Sequence, residues 1–421
     1  MTIRIRAPQL KMDIANLTLV LCCIFTCITG HEAAGTIVAL SKYLVFGLLV
    51  MAVIRKGISI NREVAFFCIA NLFAAVVTAL YHSFAGNSYF LLIPSVTAVL
   101  FYCLFAYCGY FLARERWQSE MLFRWIHGIS AAAGLIVVMQ YVCYLLGIHL
   151  NEIPVLGEYV FHAVDTDKYF RPSAFFSEPS HMAEVVLLDL YSNLFRRQNM
   201  RRAVLNMVCL VLSTSALGIV LGYGLIVWWA LSGRIVKNKL INMLIKLMMV
   251  ALMIAVLFAV LGYSGDSAIL NRILKGATIT QRTLRAFEIY GKLKPAEQII
   301  GIGMQNLTSY LNHNPIYLVY DVAETQQNRE YAQSFGYMLC TLGILGGGTY
   351  VWNIASLIKK TGRKYCGIVL LFAGLSVTSN LITRMIFVLY IAAMWTVVFE
   401  RDAMENKTRQ SLEESNVREC Q

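Results

Sequence analysis

Apolar runs separated by short polar breaks fill most of the chain. They cover residues 14–29, 36–54, 64–81, 89–112, 125–148, 181–195, 203–231, 241–261, 331–358, 365–382 and 385–399. A helix needs about 20 residues to cross the hydrocarbon of a bilayer, and most of these runs approach that length. The pattern therefore predicts an all-α polytopic membrane protein, a single integral membrane domain over residues 1–421. Two polar stretches are too long to be hairpins between spans, roughly 149–180 and 263–330, and short helices are expected within them. The polar tail, 401–421, is expected to fray.

The run 203–231 is long for one span and short for two, and its flanks decide how it is read. Arg201 and Arg202 precede it, and Arg234 and Lys237 follow it. Basic clusters in short loops mark the cytoplasmic side. Both flanks then lie on one side, which requires two crossings with a break near Ser213-Thr214-Ser215. This gives about 12 transmembrane helices. Both termini and the tail fall in the cytoplasm, and both long loops are extracytoplasmic.

Composition agrees with this pattern. Of 421 residues, 58% are hydrophobic and 14% are charged, and the mean hydropathy is +0.61. Soluble domains have about 45–50% apolar and about 25% charged residues. The net charge of +12 comes from the inter-span clusters. No basic stripe alternates with exposed aromatics, so no nucleic-acid partner is expected. The 11 cysteines lie mostly in apolar runs and neither long loop holds one, which predicts neither a disulfide framework nor a zinc site. The basic, then apolar, N-terminus reads as a first span rather than a cleaved signal.

Candidate chemistry gathers where charge meets the membrane boundary. The stretch Arg171–Glu184 carries Arg171, Glu178, Ser180, His181 and Glu184 beside two prolines. Glu178 precedes Pro179 and is pushed out of helical geometry, so a helix should begin at Pro179 or Ser180, capped by Ser177 or Ser180. His181 and Glu184 then share a face. One reading is an anion-binding arginine beside a carboxylate or imidazole base. The other is a helix N-terminus suited to acidic residues, with Arg171 solvated. Asp189 lies deeper in the same helix, either functional or tying helices together. In the second loop, residues 281–293 read as an amphipathic helix on which Arg282 and Arg285 share a face, and Arg272 precedes it. Paired guanidinium groups suit phosphates. The glycines of Gly301-Ile302-Gly303-Met304-Gln305-Asn306 read as a tight turn. Asp321, Glu324 and Glu330 are isolated and read as solvated.

In sequence, these segments resemble one family. Arg-Pro-x-x-x-Phe-x-Glu-Pro-Ser (Arg171–Ser180) is similar to a segment of the bacterial O-antigen and exopolysaccharide polymerases, within the O-antigen ligase-like membrane glycosyltransferases. So are an arginine-bearing helix leading into Ile-Ile-Gly-Ile-Gly-Met-Gln-Asn (Ile299–Asn306), a later Leu-Gly-Ile-Leu-Gly (Leu342–Gly346), and the Ser213-Thr214-Ser215 break. The resemblance spans essentially the whole chain and implies an enzyme of the bacterial inner membrane, active on its outer face. It would move a growing glycan from undecaprenyl pyrophosphate onto a new lipid-linked oligosaccharide, inverting the anomeric carbon without metal or cofactor. A chain-length regulator and a flippase would be partners in the same pathway. Arg171 with Arg272, Arg282 or Arg285 would bind the pyrophosphate, and Glu178 or His181 would be the base. Pro179, Ser180, Gly301, Gly303 and Asn306 complete the loop motifs. A ligase-like transferase and a lipid-linked glycan flippase are the alternatives.

Overall fold

The structure is a computed structural model. It describes residues 14–28, 35–57, 61–114, 116–148, 150, 163–166, 169–232, 240–244, 246–248, 251, 277–314, 316 and 332–419. Five helices open the chain: α1 (Ile14–Ile28), α2 (Gly35–Lys56), α3 (Arg62–Phe84), α4 (Leu92–Arg114) and α5 (Arg116–Leu145). A hairpin of β1 (Ala163–Thr166) and β2 (Tyr169–Pro172) leads into α6 (Pro179–Tyr191), which runs on into a π-helical turn, Ser192–Arg196. Then come α7 (Met200–Leu212), α8 (Ala216–Ser232), and three short helices, α9 (Ala277–Lys292), α10 (Pro295–Ile300) and α11 (Leu307–His313). The chain closes with α12 (Ser334–Tyr365), α13 (Gly367–Thr378) and α14 (Ile386–Glu419).

Helices α3, α4, α5 and α12 are each long and apolar enough to cross a membrane, and shorter apolar stretches lie in α1, α2, α8 and α13. The distribution of side chains on α3 is inverted relative to a soluble helix. It exposes Phe66, Ile69, Phe73, Val76 and Leu80 at helical spacing and buries Asn71, Thr78 and His82. Exposed apolar surface on this scale costs little only where the surrounding solvent is lipid. The protein is therefore a membrane-embedded helical bundle.

Two helices form its centre. Residues 182–195 of α6 and its π turn are buried on every side, as are residues 385–398 leading into and along α14. A helix that is apolar all round belongs inside other helices. Helix α14 packs most extensively on α4, where Tyr110 meets Trp395 edge to face at 5.1 Å. Helix α6 lies among α5, α7 and α8.

The predicted break at residues 213–215 is present. Thr214 has φ 49°, and α7 and α8 fold back on each other around it. Gly222 passes Met207, and Gly218 passes Leu210, so closely that a methyl group at either would collide. Three expectations are corrected. Among its described residues the first loop forms a β-hairpin where short helices were expected. The run 365–382 holds only a 12-residue helix, α13, because Ser379 leaves helical geometry (φ −140°, ψ 152°) to bond elsewhere. The tail does not fray at residue 401; α14 continues to Glu419.

The basic clusters among the described residues meet at one end of the bundle. Lys360 Nζ pairs with Glu63 at 2.7 Å, Arg401 donates to the carbonyls of Lys359 and Lys360, and Arg196 pairs with Glu400. The first turn of α3 and the last turn of the α6 rod therefore lie together. About 19 residues up α3, roughly 28 Å at 1.5 Å per residue, its last turn meets the second polar segment.

Candidate functional site

The N-terminus of α6 is shaped by the motif that precedes it. Strand β2 places Arg171 opposite Val164, and its neighbour Phe170 stacks on Tyr144 of α5 at 4.3 Å. The chain then turns through Ala174 (φ 55°), whose N–H donates to Gln140 Oε1 at 2.9 Å. Glu178 is extended (φ −141°, ψ 149°) and forms the N-cap, with Pro179 in the first helical position. This is the geometry a residue before proline favours. The expected serine cap is not formed. Ser177 Oγ instead bonds His181 Nδ1 at 2.9 Å, and Ser180 Oγ donates to Glu178 Oε2 at 2.8 Å. The exposed Glu178 and half-buried His181 thus each have a serine on them, and Pro179 and Ser180 are buried.

One turn on, Glu184 is 1% exposed and meets a residue that the sequence pattern did not single out. Its Oε1 accepts from Arg384 Nη2 at 2.6 Å and from Ser379 Oγ at 2.6 Å. Arg384 also donates from Nε to the Asn380 carbonyl at 2.8 Å and from Nη2 to Ser379 Oγ at 3.0 Å. A buried charge needs a partner and full hydrogen bonding. The α13–α14 connection supplies both, and the turn that ends α13 at Ser379 exists for this contact. The only sequence signal for Arg384 was its charge between two apolar runs.

The same connection reaches the second polar segment. Ser334, at the start of α12, donates from both its amide (3.0 Å) and its hydroxyl (2.9 Å) to the Ser379 carbonyl. Gln333 beside it donates to the Thr283 carbonyl of α9 at 3.1 Å. Helix α9 carries Arg282 and Arg285 of the second segment. It lies against α12 where Gly336 faces Ala286, and Cys340 Sγ donates to the Ala286 carbonyl at 3.4 Å. Arg285 is buried at 4% exposure. Arg282 is on the same helix with its side chain outside the described residues, and Arg272 is outside them altogether. Hydrogen bonds, linked through the adjacent residues Gln333 and Ser334 and through Ser379, therefore connect α9 to Glu184 of α6. They join two segments about 100 residues apart in sequence.

The glycine motif is a strap across a broken helix. Helix α12 leaves helical geometry at Gly343 (φ 63°, ψ −158°), which frees carbonyls of the preceding turn. The Ile302 amide donates to the Cys340 carbonyl at 3.0 Å, and the Gly303 amide to that of Thr341 at 2.8 Å. On the other side, His82 Nε2 donates to the Gly301 carbonyl at 2.8 Å, and Thr78 Oγ1 to that of Ile300 at 2.6 Å. Buried irregular backbone requires such internal partners. Asn306 Oδ1 accepts from the Leu91 amide at 2.8 Å and ties the strap to the start of α4.

Below the strap lies a second buried carboxylate that the sequence reading missed. Glu297, 1% exposed, accepts from Tyr89 (3.0 Å), Tyr310 (2.7 Å) and the Lys294 amide (3.2 Å). Burial, and then the Glu297 charge, push both phenols well above their ordinary range, so each stays a donor. Tyr310→Phe removes one of these donors. It should cost about 1.5–3 kcal/mol, as for hydrogen bonds to charged groups, seen as a lower unfolding temperature of the purified protein.

Asp189 ties three helices together. His127 Nδ1 of α5 lies 3.2 Å from each of its oxygens, and Asn206 Nδ2 of α7 donates to Oδ2 at 3.0 Å. That is the helix-tying alternative of the sequence reading. The isolated acids of the second loop, Asp321, Glu324 and Glu330, lie outside the described residues. Among the described residues no cluster of His, Cys, Asp and Glu is arranged to hold a metal, and every described cysteine is free.

No known protein family, curated protein or solved structure matches this chain.

Proposed function

We propose that the protein is a membrane glycosyltransferase that polymerises lipid-linked oligosaccharide units. It would move the growing glycan from undecaprenyl pyrophosphate onto the next unit at the outer face of a bacterial cytoplasmic membrane. The observation that carries this reading is the hydrogen-bonded connection from α9 to α6. Through it, the arginine-bearing helix of one polar segment and the Arg171–His181 motif of the other share one end of the bundle. The basic clusters among the described residues gather at the opposite end, which suits a cytoplasmic placement of that end.

The chemistry asked of such a site is modest. Pyrophosphate is already a good leaving group. It needs cations where negative charge develops, and a sugar hydroxyl must lose a proton. Arg171 and Arg285, with Arg272 and Arg282 in the same segment, are the candidate cations. Glu178 and His181, each beside a serine hydroxyl, are the candidate bases. Removing one charge-stabilising group from such a site typically costs about 100–1000-fold in turnover.

The test is complementation of a deletion strain, with surface polysaccharide read on a gel and protein levels checked. Wild type should restore a ladder of polymer. Arg171→Ala, Glu178→Gln and Arg282→Ala/Arg285→Ala should reach the membrane and leave single repeat units. Long carrier-linked polymer in the deletion strain would instead mark a ligase. Failure of lipid-linked units to reach the outer face would mark a flippase.

A further inference from the structure

The end of the bundle away from the candidate site holds a cleft of about 560 Å3 where α4, α5, the π turn and α14 meet. Its size falls within the range of ligand pockets, about 300–1,000 Å3. Phe195, Val397, Phe399 and Met404 give it apolar walls. Its charged groups are Arg114, Arg196 and Lys407 against Glu120 and Glu400. Arg196 is committed to Glu400 and lies 3.9 Å over the Phe123 ring, and Glu120 lies 3.9 Å from Arg124. Arg114 and Lys407 are left without an acidic partner among the described residues, so the opening of the cleft is cationic.

Two further features single out this cleft. Thr396 lines it and is 1% exposed, yet its hydroxyl has no hydrogen-bond partner among the described residues. A helical threonine ordinarily bonds the carbonyl one turn back, and a buried hydroxyl without a partner is costly. Its wall at Phe195 and Arg196 is π-helical, a geometry frequent at functional sites.

We propose that this cleft binds the phosphate headgroup of an anionic phospholipid. Arg114 and Lys407 face the phosphate, the Thr396 hydroxyl meets a glycerol or ester oxygen, and the apolar walls take the first carbons of an acyl chain. A free phosphate would use the two cations and leave the apolar walls wet. Basic pockets between transmembrane helices suit anionic headgroups for this reason.

The test uses the full chain in phosphatidylcholine nanodiscs titrated with phosphatidylglycerol, with retained lipid counted by native mass spectrometry. Wild type should retain phosphatidylglycerol. Arg114→Gln/Lys407→Gln should weaken retention roughly tenfold or more, since each such charge contributes on the order of fivefold. Thr396→Val, which leaves the charge unchanged, should weaken it less. Lys359→Gln/Arg363→Gln, exposed basic residues outside the cleft, should not change it. Equal loss in that control pair would reduce the effect to general surface attraction and overturn the proposal, as would equal retention of phosphatidylcholine. Inorganic phosphate alone, raising the unfolding temperature of wild type but not of Arg114→Gln/Lys407→Gln, would assign the cleft to a free anion instead.

Discussion

Arg384→Ala is expected to be the most damaging single change outside the membrane-facing surface, at about 3–5 kcal/mol. The cost comes from what is left behind. Glu184 is 1% exposed, and the substitution removes the cation paired with it while Ser379 remains on Oε1. Arg384→Lys should recover only part of this, because an ammonium cannot serve Glu184, Ser379 and the Asn380 carbonyl from one planar fork. Glu184→Leu/Arg384→Met removes both charges at similar volume and should return most of the stability. Unfolding of purified protein in detergent gives these values. The double variant also separates two roles. If it is stable but makes no polymer, the pair positions the candidate site; if it restores the ladder, the pair only holds α6 to the α13–α14 connection. An Arg384→Ala protein as stable as wild type would mean that the buried pair does not form.

Gly343→Ala is expected to rival it. A β-carbon there would sit against the Ile299 carbonyl and the Gly301 amide, which are backbone atoms that cannot swing aside. The residue also has φ 63°, where a side chain is strained even in open space. Strain and overpacking each cost about 1–3 kcal/mol, and here they act together. Gly57→Ala is the control. It has φ 79° with nothing within reach of a new methyl group, so only the strain remains. A fall in unfolding temperature for Gly343→Ala no larger than for Gly57→Ala would contradict the close packing of strap and helix.

Local chemistry was legible in the sequence wherever a residue's own neighbours determine its geometry. Pro179 forced Glu178 out of the helix, and the serine-rich break with charge on both flanks divided residues 203–231. Features set by distant partners were not legible. The Arg384–Glu184 pair joins residues 200 apart, and nothing near either one predicts the other. Gly343 lies in a run that reads as uninterrupted helix, and its break becomes favourable only when the amides of Ile302 and Gly303 arrive. Glu297 was missed because its enclosing partners, Tyr89 and Tyr310, lie 208 and 13 residues away in sequence. The first-loop hairpin is two strands of four residues, too short for alternation to show.

The strap also has a consequence for how the chain assembles. The ribosome delivers Ile302 and Gly303 before Cys340 and Thr341, yet those later carbonyls depend on the earlier amides. An α12 inserted without the strap would carry bare acceptors into hydrocarbon, at several kcal/mol for each unsatisfied group. The strap, docked on α3 through His82 and Thr78, is then the template onto which the late helix closes. In a hydrogen–deuterium exchange time course, the amides of Ile302 and Gly303 should then exchange as slowly as those within α12, although their own segment is a loop.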